Sequence, residues 1–527
     1  MMYIMFVQRT FQNIIPGLLA LFITILLTPA IATGQGTKSD PVFIFRKGNT
    51  DSPPKGFDDI GVCDDTNGGY ARLSYRENET LVFQVFDSMA GFSGEHRVDI
   101  SHFPHGALHV KLEFIGSICY WFIKSKNTET NQHVLWAQRI DVEARKLAGN
   151  PVAVIEATGA KGKFISRTSL DKTRLLFVYP FQPDNRDNKV NNEKMGFCVL
   201  DSSLIKISSS VFQMPYTEEK MDNKEYLVDN SGNAYLLAKI FEVGRTPSYN
   251  NHPNYHYQLH RMKAGSRDLE YFSIPLRSQY YHFLFLTEKH NGDVIVGGLY
   301  SRNEHLITND GIFLMNFSAD KFEYFGSGFF DFTSALLRQF HTEYDWKDWN
   351  KKTIPGGQAR LLVIRNVILN DAGGLDVLGE VYYAETASYS ELYFGEIFSM
   401  RTDGEGTLKW MKIIHKRQVG VNGPVSLSFN YFMEGGDLYL FYYDDLKNAT
   451  LADGALPGIY KDGRNASLCC TKIDGRGNVS KWVVEDYSNQ KDPVLCIMAG
   501  MRFMGNKTLA GKTAQKRKSS LAVIRKK

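Results

Sequence analysis

The sequence has little excess charge, few cysteines and few stretches with the periodicity of an amphipathic helix. Its 527 residues carry a formal net charge of +4, or +3 without Arg9. A charge this small gives no indication of a nucleic-acid or membrane-surface partner. The chain also lacks a Gly-x-Ser-x-Gly motif and an α/β pattern that could hold one. This argues against a serine hydrolase of the α/β type.

Long hydrophobic runs are absent outside the amino terminus. The run from Ile14 to Leu27 follows Arg9 and precedes the small-residue triplet Ala30-Ile31-Ala32. It is short for a membrane span, which needs about 20 apolar residues. We therefore predict a cleaved signal peptide over residues 1–34, with an uncleaved membrane anchor as the alternative. The expected location is secreted, periplasmic or at the cell envelope, with no integral membrane span after cleavage.

The six cysteines do not form the pattern of a disulfide framework. Five lie in apolar, strand-like runs, where a thiol behaves as a small buried hydrophobe: Cys119, Cys198, Cys469, Cys470 and Cys496. Cys63 lies in Gly-Val-Cys-Asp-Asp, which we interpret as a loop. One bridge from Cys63 to a strand cysteine is possible, but spacing does not identify its partner.

Aromatic residues are plentiful, with 35 Phe and 27 Tyr, and they cluster with Val, Ile and Thr in short runs typical of strands. A turn followed by an apolar strand recurs, as in Asp229-Asn-Ser-Gly-Asn-Ala-Tyr-Leu-Leu and His290-Asn-Gly-Asp-Val-Ile-Val. Each copy continues through a polar loop into a second apolar strand, and most copies then turn into a more exposed one. Seven turns mark the copies: those at Gly116, Lys172, Gly232, Gly292, Gly374, Gly436 and Gly505.

Four-strand units repeated in this way resemble the blades of a β-propeller. The resemblance is closer to uncharacterised secreted bacterial propellers than to a named family, and no cofactor motif accompanies it. It implies an all-β, seven-bladed propeller with four antiparallel strands per blade, and with six or eight blades as alternatives. We expect the propeller to occupy residues 95–527, preceded by an N-terminal extension or cap at residues 35–94.

The closing strand of the ring is a separate prediction. The sequence reaches Lys527 at what resembles the third strand of a unit, so an N-terminal strand is expected to complete the last blade. Glu95–Phe103 has the pattern of a fourth strand, and we predict that it closes the seventh blade. In the alternative with a different blade count, Leu73–Phe86 forms part of another blade.

In a propeller, the loops between the second and third strands lie on the same face as the connections between blades. Functional residues concentrate on loops held by a rigid scaffold. This face therefore carries the candidate ligand-binding residues: Tyr249, His252, His256, His341, Glu343, Asp345, Trp346 and Trp349. For Trp346 and Trp349 the alternative is packing of a short helix onto the ring. We expect no metal, since Pro253 opposes the helix on which His252 and His256 would converge.

Two functions remain open. The leading hypothesis is an exported, monomeric, non-catalytic scaffold that binds a protein or a glycan, and not nucleic acid, through this face. The alternative is a propeller-type glycoside hydrolase or lyase, whose catalytic groups come from separate blades and leave no local motif. Its candidate residues on this face are Asp184, Asp187, His252, His256, Glu343 and Asp345.

Overall fold

The structure is a computed structural model that describes most of the chain. The described residues are 43–48, 54–65, 68–183, 190–249, 252–276, 279–302, 309–340, 361–385, 391–421, 426–451, 457–461, 465–490, 495–504, 508–514 and 520–526. The predicted signal peptide lies outside these ranges. No helix within them is long and apolar enough to span a lipid bilayer.

The described chain is built almost wholly of strands, grouped into four-stranded antiparallel sheets in chain order. We call these sheets blades and name their strands a to d. Blade 1 comprises β2 (Asp58–Asp64), β3 (Tyr70–Arg76), β4 (Thr80–Phe86) and β5 (Phe92–Asp99), and blade 2 comprises β6 (Leu108–Ile115), β7 (Ile118–Asn127), β8 (Gln132–Asp141) and β9 (Lys146–Thr158). Blade 3 comprises β10 (Ile165–Thr168), β11 (Arg174–Pro180), β12 (Asn192–Asp201) and β13 (Lys206–Thr217). Blade 4 comprises β14 (Met221–Val228), β15 (Ala234–Phe241), β18 (Tyr255–Met262) and β19 (Leu269–Ser273). In blade 4, β16 (Ser248–Tyr249) and β17 (His252–Pro253) form a small extra ladder.

Blades 5 to 8 continue the pattern. Blade 5 comprises β20 (Tyr280–Glu288), β21 (Val294–Ser301), β22 (Gly311–Ser318) and β23 (Glu323–Asp331), and blade 6 comprises β24 (Leu361–Leu369), β25 (Leu375–Glu385), β26 (Glu391–Thr402) and β27 (Leu408–Ile414). Blade 7 comprises β29 (Phe429–Glu434), β30 (Asp437–Asp445), β32 (Ala466–Ile473) and β33 (Val479–Asp486). Blade 8 comprises β35 (Arg502–Met504), β36 (Thr508–Ala514), β37 (Leu521–Lys526) and β1 (Phe43–Lys47). The remaining elements are β28 (Gln418–Val421), β31 (Tyr460–Lys461), β34 (Leu495–Cys496), helix α1 (Ser334–Phe340) and 3-10 turns at Leu446–Thr450 and Met498–Gly500.

The b strands are mostly apolar because both of their faces are covered by other blades. In β15, Leu236 and Ile240 join a buried cluster with blade 3. Tyr235 and Leu237, on the opposite face of the same strand, join a cluster with blade 5. The d strands face solvent on one side and alternate accordingly, as in β19, where most side chains are half-buried or exposed.

The tight turns follow from local chemistry. In the a–b turn of blade 4, the Asp229 backbone N–H donates to the Asn233 carbonyl at 3.0 Å, and the Asp229 carboxylate accepts from the Asn233 backbone N–H at 2.8 Å. Gly232 adopts a φ of +89°, which a residue without Cβ reaches at no steric cost. The turn that the sequence predicts here is confirmed.

Eight buried clusters hold the ring together, and each spans the interface between two neighbouring blades. The last joins blade 8 to blade 1 through side chains that include Val62, Tyr70 and Phe86 on one side and Leu521 and Val523 on the other. The all-β propeller prediction is therefore confirmed, whereas the count of seven blades is wrong. The correct count is the alternative of eight, with Leu73–Phe86 in an additional blade.

The closing strand is β1 and not the predicted Glu95–Phe103. Phe43 pairs with Lys526 and Lys47 with Ala522, so β1 supplies the d strand of blade 8. Most of Glu95–Phe103 lies in β5, which pairs with β4, its neighbour in sequence. The pattern of a d strand was recognised correctly, but a short connection favours pairing with the adjacent strand over pairing with one at the far end of the chain.

Residues 58–99 form blade 1, so the predicted boundary between residues 94 and 95 falls inside β5. The five cysteines predicted to be buried hydrophobes are buried and free. Cys63 is also buried and free, and it lies in β2, not in a loop. Its thiol donates to the carbonyl of Ala71 at 3.6 Å, so it serves as another small core residue.

Candidate functional site

The two ends of the ring differ in the length of their connections. The a–b and c–d turns, such as 229–233 and 403–407, share one end, which we call the turn face. The b–c and d–a connections share the other, which we call the loop face, and here the b–c segments 242–254 and 446–465 are long. Long loops on a rigid scaffold are where binding residues concentrate, so the loop face is the candidate site.

Three of the predicted site residues are described, and all three lie in blade 4. Tyr249 and His252 face each other across the β16–β17 ladder, and Tyr249 is 56% exposed. His256 lies on β18, where its Nδ1 is 2.6 Å from Glu242 Oε1 and its Nε2 is 3.3 Å from the Gln258 amide nitrogen. The structure thus brings Tyr249 and His252 together, while His256 contacts the carboxylate of Glu242 at the start of the b–c segment 242–254.

The other predicted site residues lie outside the described ranges: His341, Glu343, Asp345, Trp346 and Trp349, together with Asp184 and Asp187. Among the described residues, no group of three or more His, Cys, Asp or Glu side chains is arranged to hold a metal ion.

A cation that the sequence analysis missed lies at the loop-face end of blade 4. Lys239 is two residues from the end of β15, and its Nζ is 3.4 Å from the ring centroid of Tyr255 and 4.9 Å from that of Phe241. Asp222 lies directly opposite it on β14 but is paired with Lys224. Burial, reinforced by the charge of Lys224, lowers the pKa of Lys239 to about 8.

His282, on the innermost strand of blade 5, is influenced by the same charge. Burial and the positive charge of Lys239 lower the pKa of His282. The register of β20 and β21 shifts between His282 and Phe285, and Phe283 adopts a φ of +46°. A bulge re-aims side chains, and a positive φ at a non-glycine residue costs roughly 1–3 kcal/mol. Phe283 remains 38% exposed.

A second polar cluster lies between blades 6 and 7. Glu380, in the middle of β25, accepts from Arg365 Nε at 2.9 Å and from the Ser428 hydroxyl at 2.6 Å. Lys416, in the segment after β27, places its Nζ 2.7 Å from the other carboxylate oxygen of Glu380. Gln418 extends the cluster by accepting from Lys416 at 3.0 Å and donating to the carbonyl of Tyr443 at 2.7 Å.

A third polar cluster lies at the base of the long b–c segment 446–465. Asp444, at the end of β30, accepts from Lys481 at 2.9 Å and from the Asn448 amide at 2.7 Å. Burial raises the pKa of Asp444, and the neighbouring Lys481 opposes the rise. Paired charges of this kind fix side-chain positions, so the loop face is supported by rigid polar networks.

These groups act as fixed charges and hydrogen-bonding partners. The carboxylates of Glu380, Asp444 and Glu242 are each engaged by a cation or a histidine. Lys239 has no carboxylate within ion-pair distance in the described part of the chain, and its charge is stabilised by aromatic rings instead. The arrangement can attract and orient an acidic group.

A signal for the missed residues was present in the sequence. Lys239 is the single charged residue in its b strand, Ala-Tyr-Leu-Leu-Ala-Lys-Ile-Phe, and Glu380 is one of two carboxylates in the largely apolar run Leu-Asp-Val-Leu-Gly-Glu-Val. A charge in such a run must be paired or otherwise stabilised, because burying it alone is costly. No local pattern, however, identifies Lys416 as the partner of Glu380.

The strand pairing defines this chain as an eight-bladed β-propeller. It is similar to the β-propeller domain of the Trilobed protease from Pyrococcus furiosus, with 10% identity and a TM-score of 0.36 over 84% of this chain and 99% of that one. It is also similar to the WD40 domain of SCAP from fission yeast, with 7% identity and a TM-score of 0.33 over 92% and 98% of the two chains.

A further similarity is to the acylaminoacyl peptidase of Pyrococcus horikoshii, with 10% identity and a TM-score of 0.36. It covers 87% of this chain and 58% of the peptidase. No protein-family profile matches the sequence, and no curated protein matches it significantly. Likenesses this distant transfer no activity to the chain.

Proposed function

We propose that this protein is an exported, non-catalytic β-propeller scaffold that binds an acidic protein or glycan through its loop face. The observation that carries the proposal is Lys239, an ammonium held 3.4 Å from the ring centroid of Tyr255 at the loop-face end of blade 4. The carboxylate opposite it, Asp222, is occupied by Lys224. A ligand carboxylate or sulfate would supply the missing counter-charge.

The surroundings of Lys239 suit recognition. His282 lies within electrostatic range on blade 5, and Tyr249 provides an exposed aromatic ring on the blade 4 loop. Aromatic rings combine a flat apolar body with a polar edge, which suits both peptide and sugar ligands. Because the site is built on strands of two rigid blades, little conformational entropy is lost on binding.

Binding can be tested with the purified protein on an array of matched neutral and acidic glycans, and by chemical cross-linking capture from an envelope extract. We expect acidic ligands to be retained by the wild type and lost by Lys239→Met. Arg476→Met is the matched control, since Arg476 is exposed on the turn face. Equal binding by Lys239→Met would contradict the proposal.

Catalysis is tested separately by incubating the protein with the polysaccharides that it retains. Release of reducing or unsaturated ends would favour the alternative function, a glycoside hydrolase or lyase. We expect bound material to be recovered intact.

The export part of the proposal rests on the amino-terminal pattern of Arg9, the run Ile14–Leu27 and the triplet ending at Ala32. Amino-terminal sequencing of protein from the envelope and extracellular fractions should find a chain that begins shortly after Ala32. Recovery of the intact chain from the cytoplasm alone would contradict export.

A further inference from the structure

A cavity of about 510 Å³ lies against the inner strands of blades 6, 7 and 8. Its apolar wall includes Tyr431, Phe432, Met501 and Phe503, and Arg365 lies on its lining. Phe503 is 57% exposed, whereas Phe432 is buried and contacts it in a tilted arrangement with ring centroids 5.4 Å apart. The volume falls within the range of small-molecule sites, about 300–1,000 Å³.

The wall of the cavity is firmly held. The Asn430 amide donates to the carbonyls of Met498 and Met501, both at 2.9 Å, and thereby fixes blade 7 to the segment that enters blade 8. Burial raises the pKa of Tyr431, so the phenol stays neutral at physiological pH. This side of the cavity is therefore preformed, largely apolar and uncharged.

Arg365 brings charge to the cavity. Its Nε donates to Glu380, and its guanidinium carbon lies 5.6 Å from the ring centroids of both Tyr382 and Phe394. These contacts fix the plane of the guanidinium. In the described part of the chain the two terminal nitrogens of Arg365 have no protein acceptor, and the side chain is 33% exposed. An arginine held in this way presents a pair of donors matched to a carboxylate or sulfonate.

The carboxylate behind Arg365 has several partners. Glu380 is shared among Arg365, Lys416 and the Ser428 hydroxyl, so two cations divide one carboxylate. Glu396 and Asp444 also act on Lys416, but Asp444 is itself paired with Lys481. Glu380 thus binds Arg365 through Nε and leaves the terminal nitrogens directed away from it.

We propose that this cavity binds a small organic anion, with its acid group on the terminal nitrogens of Arg365 and its apolar body against Phe432 and Phe503. The ligand class is a monocarboxylate or monosulfonate on an aromatic or aliphatic body. The inference goes beyond the proposed function, because it concerns a small molecule in the ring interior and uses none of the loop-face residues.

The test uses two fluorescent probes of nearly identical shape on the full-length protein. 1-Anilinonaphthalene-8-sulfonate carries an anionic group, and N-phenyl-1-naphthylamine is its neutral counterpart. We expect saturable, one-site binding of the anionic probe, and its displacement by 2-naphthoate but not by 2-naphthalenemethanol. Because a charged hydrogen-bond pair contributes about a factor of ten or more, Arg365→Gln should weaken the anionic probe about tenfold and leave the neutral probe within about twofold.

Two further variants keep the result interpretable. Arg476→Gln, on the turn face, removes the same charge away from the cavity and should leave both affinities unchanged. Phe503→Ala alters an exposed position that the fold tolerates, and it should weaken both probes, so it tests the cavity even if Arg365→Gln fails to fold. The proposal is overturned if the wild type shows no saturable binding, if Arg365→Gln binds the anionic probe normally, or if it loses both probes equally while folded.

Discussion

The Lys416 ammonium lies 2.7 Å from the carboxylate of Glu380, and neither side chain is exposed to solvent. Burial lowers the pKa of Lys416, while the Glu380 charge acts in the opposite direction. The pair connects the segment after the outer strand of blade 6 to the middle of its second strand. Through Ser428 the same carboxylate also holds the start of blade 7.

Removing the charge of Glu380 should destabilise the protein strongly. Glu380→Gln leaves Lys416 buried without its carboxylate, and breaking a buried pair in this way costs about 3–5 kcal/mol. The free energy of unfolding, measured by urea denaturation, should fall by this amount. The double variant Glu380→Gln/Lys416→Met should lose less than the sum of the two single variants, since they share one interaction. Additive losses would show that the pair is not coupled.

The closing strand should carry a large share of the stability of blade 8. The buried Phe43 ring lies 4.9 Å from that of Phe441 and 5.1 Å from that of Tyr439. Phe43→Ala removes these contacts and leaves a cavity, for a loss of about 3–5 kcal/mol. Phe325→Ala is the control, because Phe325 lies on another outer strand and is 55% exposed. Similar thermal and urea unfolding of the two variants would contradict closure by β1.

Glu288 should make stability depend on pH. Burial is the main cause that raises its pKa from 4.5 to about 7. The hydrogen bond that Glu288 accepts from the backbone N–H of Asn230 at 2.9 Å acts in the opposite direction. The folded state therefore binds more protons than the unfolded state between these values, so wild-type stability declines as pH rises from 4.5 to 7.

Glu288→Gln removes this pH-dependent contribution. We compare the difference in the free energy of unfolding, variant minus wild type, at two pH values. This difference should be about 2 kcal/mol larger at pH 8 than at pH 4.5, because the variant does not lose stability as pH rises. Urea denaturation at the two pH values measures the difference. Glu129→Gln, at an exposed position, should show none. A difference that grows instead toward low pH would contradict the assignment.

Lys239 should titrate far below an ordinary lysine. Burial and the neighbouring Lys224 lower its pKa to about 8. After reductive ¹³C-methylation, NMR should show a dimethyl-lysine resonance that shifts with a midpoint near pH 8 and disappears in Lys239→Arg. A midpoint above about 9.5 would show an ordinary, solvated ammonium. An acidic ligand bound at the loop face should raise the midpoint.

Much of the fold could be predicted because its signals are local. The turn Asp229–Asn233 uses Asp, Gly and Asn at fixed spacing, and the strands on either side show their apolar pattern directly. The same spacing from Asp to Gly occurs between Asp65 and Gly68, which lie between β2 and β3 of blade 1. Assigning residues 35–94 to an N-terminal extension gave one blade too few and left Glu95–Phe103 without its neighbouring strands.

The candidate site was less predictable. Tyr249 and His252 were placed on the correct loop because a loop position follows from strand order. Lys239 and Glu380 were detectable as charges within largely apolar strands, but what each of them contacts depends on neighbouring strands and blades. Arg365 and Glu380 meet through the pairing of β24 and β25 within blade 6, and Ser428 joins them only when blade 7 packs against blade 6.

The sequence by itself determined the all-β class, the four-strand unit and the turns, since backbone sterics and apolar alternation act within a few residues. The tertiary structure decided the number of blades, the closing pair of Phe43 and Lys526, and the sharing of Glu380 between Arg365 and Lys416. The physical reason is that these contacts depend on which apolar faces cover each other around the ring. That choice is made by packing over the whole chain and not by any short segment of it.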